Sequence, residues 1–246
     1  MRNQKKLVAS IALVVIAGAI AGGERIYQGY LVHRDYPAAP PGMVFVPAGD
    51  FLMGTDNPEA GKDERPQRKR FLPAFYIDAF EVTNAEFKQF DPDHTFPEGN
   101  ENYPATGITL KAARGYAASV DKRLPTMAEW EKAARGSDGR DFPWGNEFRN
   151  GVANIGGNDA LTAVGQHPES VSPYGAQDMT GNAWEWIDDI HRDGGFFTGR
   201  DIVEREIIKG GGYSYSPYQA RVSYNGFEGV GSTCNDVGFR CVRDAE

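Results

Sequence analysis

The chain has 246 residues, 30 glycines and a formal net charge of −8, a length that suits one domain with or without an anchor. Apolar residues make up 40% of the sequence, which is enough for a packed core and argues against a disordered chain. The acidic balance argues against nucleic acid as a partner, because neutralising phosphates requires a basic face. The densest basic run, Arg68-Lys69-Arg70, is predicted to lie in a solvated loop.

The N-terminus carries the clearest local signal. Arg2, Lys5 and Lys6 precede an uncharged run over residues 7–23, as in a single-span anchor whose basic head stays cytoplasmic. The pattern is also typical of a cleaved signal peptide, since residues 19–21 (Ala-Ile-Ala) offer a small-x-small cleavage site. We expect a retained span in a bacterial inner membrane, with the domain in the periplasm. The alternative is a secreted or periplasmic protein after signal cleavage.

The rest of the chain divides into a linker, residues 24–42, and a domain, residues 43–246. The linker ends in Pro-rich sequence, which favours extended backbone. The domain opens with two apolar runs, residues 43–47 and 49–54, and the Pro-Ala-Gly-Asp break between them predicts a hairpin. Residues 56–70 are charged and predict a surface loop, and residues 75–78 predict a strand.

Three helices are predicted next. Thr83 and Glu86 form one capping-box pattern and Thr126 and Glu129 form another, and each pattern marks a helix start. Residues 110–120 have helical composition. From Gly136 onward Gly and Asn dominate, and long regular elements are expected to fade.

The number and spacing of the cysteines and histidines limit which redox and metal sites the chain can form. The two cysteines, Cys234 and Cys241, are either a short-loop disulfide or two buried free thiols. A Cys-x-x-Cys redox motif and a four-Cys zinc site are both absent. The four histidines lie apart without metal-ligand spacing, at His33, His94, His167 and His191.

A series of motifs then points to a family. The sequence contains Met-Val-Phe-Val-Pro-Ala-Gly from Met43, Glu-Val-Thr-Asn from Glu81, Arg-Leu-Pro-Thr-Met-Ala-Glu-Trp-Glu to Glu131, Tyr-Gly-Ala-Gln-Asp-Met-Thr-Gly-Asn-Ala-Trp-Glu-Trp to Trp186, Lys-Gly-Gly-Gly to Gly212 and Gly-Phe-Arg-Cys to Cys241. In order and spacing they resemble the formylglycine-generating enzyme (sulfatase-modifying factor) family over residues 43–243. The resemblance implies an α+β, C-type-lectin-like domain with much irregular structure, here behind one N-terminal transmembrane or signal helix.

A calcium site is the first expectation at residue level. Asp178 and Glu185 bracket a tight Thr-Gly-Asn turn, and oxygen ligands along a turn suit Ca²⁺. The two acids could instead cap backbone amides of the turn. The resemblance implies a structural calcium ion held by the side chains of Asp178 and Glu185 and the carbonyls of Gly181 and Ala183.

A second calcium site is more doubtful. The resemblance implies the Asn154 side chain and the Ile155 carbonyl as ligands, but the segment that should hold the remaining ligands is shorter here. Asp159 is the only nearby acid that could substitute. Either ion would be structural, because Ca²⁺ has no redox chemistry.

Two more groups are assigned to the core. Arg240 is expected to form a buried ion pair with a carboxylate from residues 178–188, because its planar fork matches a carboxylate. The four tryptophans are interpreted as packing residues rather than as a cofactor cage; they are Trp130, Trp144, Trp184 and Trp186.

The expected catalytic position is degenerate. The family's oxidase binds copper(I) between two cysteines after an Arg/Lys-Gly-Gly-Ser motif, and soft thiolates are what select Cu(I). In this sequence the two cysteine positions hold Tyr215 and Ala220, the serine is Gly212, and an asparagine before Gly-Phe-Arg is Asp236. We therefore expect no copper, no other catalytic cofactor and no formylglycine-generating activity.

Two functions remain open. The first is a non-catalytic, membrane-anchored accessory subunit of a membrane protein complex, that is, a pseudoenzyme. The second is a cysteine-free periplasmic maturation enzyme of the kind the family associates with siderophores or nitrite reductases. In that case Tyr213, Tyr215, Glu228 and Asp236 are the candidate residues. The scattered histidines argue against the related ergothioneine-synthesis enzymes, which use a helical His motif for iron.

Overall fold

A computed structural model describes residues 38–157, 159–195 and 200–245 of the protein, without side chains at 193–195 and 200–202. The predicted membrane segment and most of the linker lie outside these residues. Among the described residues no helix is long and apolar enough to cross a membrane.

The described chain is α+β, as predicted. Its strands are β1 (Met43–Val46), β2 (Gly49–Met53), β3 (Arg68–Leu72), β4 (Phe75–Asp78), β5 (Trp184–Gly195), β6 (Arg200–Lys209), β7 (Gly226–Gly229), β8 (Val237–Gly238) and β9 (Val242–Asp244). Its helices are α1 (Asn84–Phe90), α2 (Leu110–Ser119) and α3 (Met127–Arg135), with a short 3₁₀ turn at Pro168–Ser170.

The strands form three small sheets with the orders β1-β4-β9, β2-β3 and β7-β6-β5-β8. Every pairing is antiparallel except that of β5 with β8. The last strands of the chain, β8 and β9, join two different sheets, so the C-terminal segment links both halves of the domain.

The predicted hairpin of residues 43–54 is wrong. β1 pairs with β4, and β2 pairs with β3, in the register Phe51↔Arg70. The two residues between β1 and β2, Pro47 and Ala48, are not of the types that favour a two-residue hairpin turn, and each strand pairs with a partner further along the chain.

The predicted loop 56–70 ends too late, because β3 begins at Arg68. Four of its five residues are exposed and only Leu72 is buried. Charged side chains on an edge strand protect it from pairing with other chains. The same charged residues leave the strand without the apolar and polar alternation by which it could be recognised in the sequence.

The helices confirm the sequence analysis. The capping boxes at Thr83 with Glu86 and at Thr126 with Glu129 are both formed. α2 begins after Thr109, whose side chain accepts from the Ala112 N–H. These ends are encoded locally because each cap satisfies amide groups that the helix leaves free.

The expectation that regular structure fades after Gly136 is wrong for one element. β5 has 12 residues and β6 has 10, and together they form a long hairpin with register shifts near Ile190 and Gly195. Charged residues on both strands mask the alternation on which a sequence-based strand assignment depends.

Two apolar cores lie on the two sides of β5. The first core contains Trp130 of α3 with side chains of β1, β2 and β4. The second core contains Trp184 and Trp186 of β5 with side chains of α1 and α2. The start of β5 therefore lies between the two cores, and the candidate sites gather there.

Candidate functional site

A buried ion pair holds the start of β5. Arg240 donates from Nε to Glu185 Oε2 and from Nη2 to Glu185 Oε1, each at 2.8 Å, and both side chains are fully buried. Trp130 Nε1 donates to the same Oε2 at 2.7 Å. The predicted ion pair of Arg240 with a carboxylate from residues 178–188 is thus present, in the bidentate geometry that arginine favours.

Two further acids surround the same guanidinium. Glu81 Oε2 lies 4.0 Å from Arg240 Nη2 and has no hydrogen-bond partner, while Glu81 Oε1 accepts from Asn182. Burial raises the pKa of Glu81 well above its usual range, and the negative charge of Asp178 raises it further. Burial also raises the pKa of Asp178. We call Arg240, Glu81, Asp178 and Glu185 the Arg240 cluster; it holds three carboxylates and one guanidinium.

The turn between Asp178 and Glu185 contains several residues in the left-handed backbone region. Asp178 and Asn182 adopt positive φ angles of 55° and 61°, and Gly181 has φ of +82°. A Cβ on Gly181 would lie 2.3 Å from the carbonyl oxygen of Asn154. Only glycine fits there, because an L side chain would be both strained and in collision.

The Arg240 cluster carries more negative than positive charge. One guanidinium cannot balance three buried carboxylates, and Glu81 Oε2 lacks any partner, so a proton or a cation must supply the missing positive charge. The described residues contain no group of three or more His, Cys, Asp or Glu side chains arranged as a metal site. The predicted calcium set, which includes the carbonyls of Gly181 and Ala183, stays a prediction.

The residues of the doubtful second calcium site are only partly together. Asn154 and Ile155 are buried, whereas Asp159 is exposed. The Asn154 amide donates to the carbonyl of Ala160 and to Asn182 Oδ1, each at 3.1 Å. This hydrogen bonding ties the segment to the turn of the first site.

The degenerate oxidase position lies beside Trp184. The Tyr215 ring meets Trp184 edge to face, with centroids 5.2 Å apart. A Cβ on Gly212 would lie 3.1 Å from both rings. Ala220 is completely buried and packs with Ala153 and Ile155, not with Tyr215. The two former cysteine positions thus differ: one lines a half-buried surface and the other belongs to a small apolar core.

Acidic and aromatic groups surround Tyr215. Burial raises the pKa of the Tyr215 phenol, and the charge of Asp236 raises it further. Burial and the nearby carboxylate of Glu228 raise the pKa of Cys234 to about 11. Three of the four predicted candidates, Tyr215, Glu228 and Asp236, are therefore neighbours. Tyr213 is half-buried, and its N–H donates to the carbonyl of Asn182.

The cysteines do not form a disulfide; both are free thiols, but only Cys241 is buried as that alternative predicted, and Cys234 is half-buried. Cys241 is completely buried, and burial together with the charge of Asp78 raises its pKa well above the usual range. Both thiols are held protonated at neutral pH, and the thiolate is the form that binds soft metals.

Comparison with known proteins identifies the family. The model of the "Sulfatase-modifying factor enzyme 1-like domain" family matches residues 31–245. The chain belongs to the sulfatase-modifying factor family. It is 30% identical to the bovine (Bos taurus) formylglycine-generating enzyme, with 85% of this chain and 76% of that protein covered.

Two other proteins are similar to this chain. A mouse (Mus musculus) protein named inactive C-alpha-formylglycine-generating enzyme 2 is 27% identical over 85% of this chain and 87% of its own length. The structure of PvdO from Pseudomonas aeruginosa superposes with a TM-score of 0.67 at 23% identity, covering 82% of this chain and 94% of that one. The latter likeness concerns the fold alone.

The sequence analysis missed Glu81 as a site residue. Glu81 lies two residues before the Thr83 cap and was quoted only as the first residue of the Glu-Val-Thr-Asn motif. Its buried position was not visible because the contact with Arg240 spans most of the domain. The sequence did offer one signal: Glu81 is an acid that takes no part in the capping box of Thr83 and Glu86.

Proposed function

We propose that this protein is a non-catalytic, membrane-tethered accessory subunit of a periplasmic or membrane-bound complex. The observation that carries the proposal is the degenerate oxidase position. Tyr215 and Ala220 stand where the family's oxidase has its cysteines, and Ala220 is sealed in an apolar core. Neither a phenol nor a methyl group can replace the thiolates that bind Cu(I).

The remaining thiols do not compensate. Cys241 is completely buried, and Cys234 has its pKa raised to about 11, so both stay protonated. The name of the mouse relative, which includes the word inactive, supports the view that this fold can persist without the oxidase reaction. A rigid domain with a lost site can still present loops to a partner.

An activity assay with an engineered control tests the catalytic half of the proposal. The purified protein is incubated with Cu(I), O₂ and a Cys-containing sulfatase-type peptide, and aldehyde formation is followed by mass spectrometry. We expect no conversion above the protein-free control. The variant Tyr215→Cys/Ala220→Cys places a thiol at both positions and is assayed beside it for Cu(I) binding and conversion. Catalytic conversion by the unmodified protein would overturn the proposal.

Co-purification from native membranes tests the accessory half. A tagged full-length chain is extracted with mild detergent, and its partners are identified by mass spectrometry. The expected result is a defined complex in stoichiometric amounts. A chain that remains monomeric, or that lacks residues 1–21 and stays in the soluble periplasmic fraction, would contradict the tethered-subunit role.

We further propose that calcium stabilises the fold. The side chains of Asp178 and Glu81 and the carbonyls of Gly181 and Ala183 would hold the ion, while Glu185, the other acid of the predicted set, stays bonded to Arg240. The support is the excess negative charge of the Arg240 cluster and the unpartnered Glu81 Oε2. The ion would supply charge neutralisation and stiffen the turn, and it would carry out no redox step. For the second set, Asn154, Ile155 and Asp159, the proposal is weaker because Asp159 is exposed.

A maturation enzyme is the second candidate. The observation that favours it is the clustering of Tyr215, Asp236 and Glu228 in a half-buried surface, since a carboxylate beside a phenol can transfer protons. Tyr215→Phe is the matched test, because it removes one hydroxyl from this surface. A phenotype equal to that of a complete deletion would favour the enzyme over the subunit.

A further inference from the structure

The stretch of residues 62–70, which ends inside β3, carries several cations that no ion pair neutralises. In the part of the chain that the structure describes, no carboxylate lies within ion-pair distance of four of them, which are Lys62, Arg65, Arg68 and Arg70. Lys69, between the two arginines of the strand, pairs with Asp50 at 2.8 Å. A single exposed, unpaired cation is ordinary, as Lys111 shows. Four of them within one short stretch of an acidic protein form a local positive surface.

The acids of the same stretch are held by other side chains. Glu64 is buried, and Arg221 Nη2 lies 3.1 Å from its Oε2. Asp63 accepts a hydrogen bond from the side-chain amide of Asn225 at 2.8 Å. These contacts fasten the loop before β3 to residues 221–225. The acids are therefore engaged within the domain, while the cations remain available at its surface.

Two of the cations line a cavity. Lys62 and Arg65 form its walls together with Asp56 and Pro66, and its volume is about 350 Å³. The carboxylate of Asp56 is engaged, because its Oδ1 accepts from the Gln67 N–H at 2.9 Å. Gln67 directly precedes β3, so the cavity lies at the start of that strand. Two cations beside one engaged carboxylate favour an anionic ligand, and the volume suits a phosphate ester.

The other end of β3 exposes an aromatic ring. Phe71 is 64% exposed, although the next residue, Leu72, is buried. The cross-strand partner of Phe71 is Asp50, which is exposed as well, and Phe71 belongs to neither of the two large apolar cores. Because β3 has a strand partner on one side only, the cavity, the cations and the ring follow one open edge. Cations beside an exposed phenylalanine are typical of segments that lie in a membrane interface.

This edge is close in sequence to the strand at which the chain enters the described domain. The described residues begin at Ala38, which lines a second cavity together with Tyr76 of β4. Only Pro73 and Ala74 separate β3 from β4. The residues between the predicted span and Ala38, 24–37, can reach at most about 50 Å even when fully extended. A tethered domain therefore stays within contact range of the bilayer.

We propose that the surface formed by Lys62, Arg65, Arg68, Arg70 and Phe71 docks on anionic phospholipid headgroups of the membrane that holds the tether. The phosphate of one headgroup would occupy the cavity between Lys62 and Arg65, and Phe71 would enter the interface. The inference rests on the membrane tether of the proposed function and says which face of the subunit meets the bilayer. The chain as a whole is acidic, so an anionic membrane repels its other faces and favours this orientation.

The test places a fluorescent reporter at position 71 of the full-length chain in vesicles. Phe71→Trp keeps an aromatic ring there, and Val230→Trp is the matched control, because Val230 is 65% exposed and follows β7. The vesicles carry brominated acyl chains, which quench a tryptophan that enters the lipid, and the signal of the unmodified protein is subtracted. They consist of phosphatidylcholine alone or of an equal mixture with phosphatidylglycerol. We expect quenching for Phe71→Trp in the anionic vesicles only, and none for Val230→Trp.

Charge variants measure the contribution of the cations. In the Phe71→Trp background, Arg65→Gln/Arg68→Gln should lower the docking equilibrium constant roughly 30-fold, because each basic residue near an anionic surface contributes about a fivefold factor. Lys111→Gln removes an exposed cation elsewhere and should leave the quenching unchanged. Salt at 1 M shortens the screening length to about 3 Å and should release the surface as well.

The outcomes separate docking from folding and from tethering. Equal quenching in the two kinds of vesicle, or no quenching in either, would overturn the inference. Loss of quenching on addition of soluble glycerol phosphate would assign the cavity to a free phosphate ester and would overturn it too. If the double variant melts below the unmodified protein, the salt series on Phe71→Trp decides instead. Extraction of the chain from the vesicles by alkaline carbonate would reject the tether, whereas the quenching pattern at neutral pH judges the docking.

Discussion

Replacing Glu81 by Gln distinguishes a cation-filled Arg240 cluster from a protonated one. Without a cation, burial and the charge of Asp178 raise the pKa of Glu81, which favours the protonated side chain in the folded state. An amide then replaces a neutral acid of nearly the same shape, and Glu81→Gln should change the free energy of unfolding by less than about 1 kcal/mol. With calcium bound, the same substitution removes a ligand.

The size of the calcium effect follows from mass action. A ligand that binds only the native state at one hundred times its Kd stabilises by about 2.7 kcal/mol. For a domain of this size each kcal/mol raises the melting temperature by about 2–4 °C. The unmodified protein should therefore melt about 5–10 °C higher in calcium than in EDTA, and Glu81→Gln should lose most of that difference.

The assay is thermal unfolding followed by circular dichroism in millimolar calcium and in EDTA. Glu98→Gln, an exposed acid, serves as the matched control and should keep the full calcium response. Asp178→Ala should also abolish it. Equal melting temperatures of the unmodified protein in the two buffers would refute the calcium proposal. A full response in Glu81→Gln would show that Glu81 is not a ligand.

Three other substitutions have definite expected outcomes. Arg240→Met leaves buried carboxylates without their partner, so urea unfolding should show a loss of about 3–5 kcal/mol, and a loss below 1 kcal/mol would contradict this reading of the cluster. Lys209 is fully buried, and burial lowers its pKa to about 8. Because the same lysine keeps its proton to higher pH in the unfolded chain, raising the pH from 8 to 10 favours the folded state. Over this range the stability of the unmodified protein should rise relative to that of Lys209→Met, by at most about 3 kcal/mol. Parallel pH profiles of the two proteins would exclude this linkage. Thr126→Ala removes the cap of α3 and should cost about 1 kcal/mol in the same assay, whereas no measurable change would mean that water replaces the cap.

Local signals in the sequence predicted what depends on local chemistry. The starts of α1 and α3 follow from Thr83 and Thr126, because a capping box satisfies amides within one turn of the helix. Gly181 was read correctly as a turn residue, and its close approach to Asn154 gives the reason. The Arg240 ion pair was predicted because the planar fork of a guanidinium matches a carboxylate.

Non-local features were not predictable from the sequence. The pairing of β1 with β4 and of β2 with β3 depends on which partners the core brings together, and the apolar pattern of residues 43–54 does not encode that choice. Glu206 and Glu228 meet only because β6 and β7 are in register. The contribution of Glu81 to the Arg240 cluster was hidden for the same reason.

The most direct test of the account is the intact mass and composition of the native, membrane-extracted protein. We expect a chain that retains residues 1–23 and elutes with a stoichiometric partner. The purified complex should form no aldehyde on a Cys-containing peptide supplied with Cu(I) and O₂. A free, processed monomer that converts the peptide catalytically would contradict the central claim.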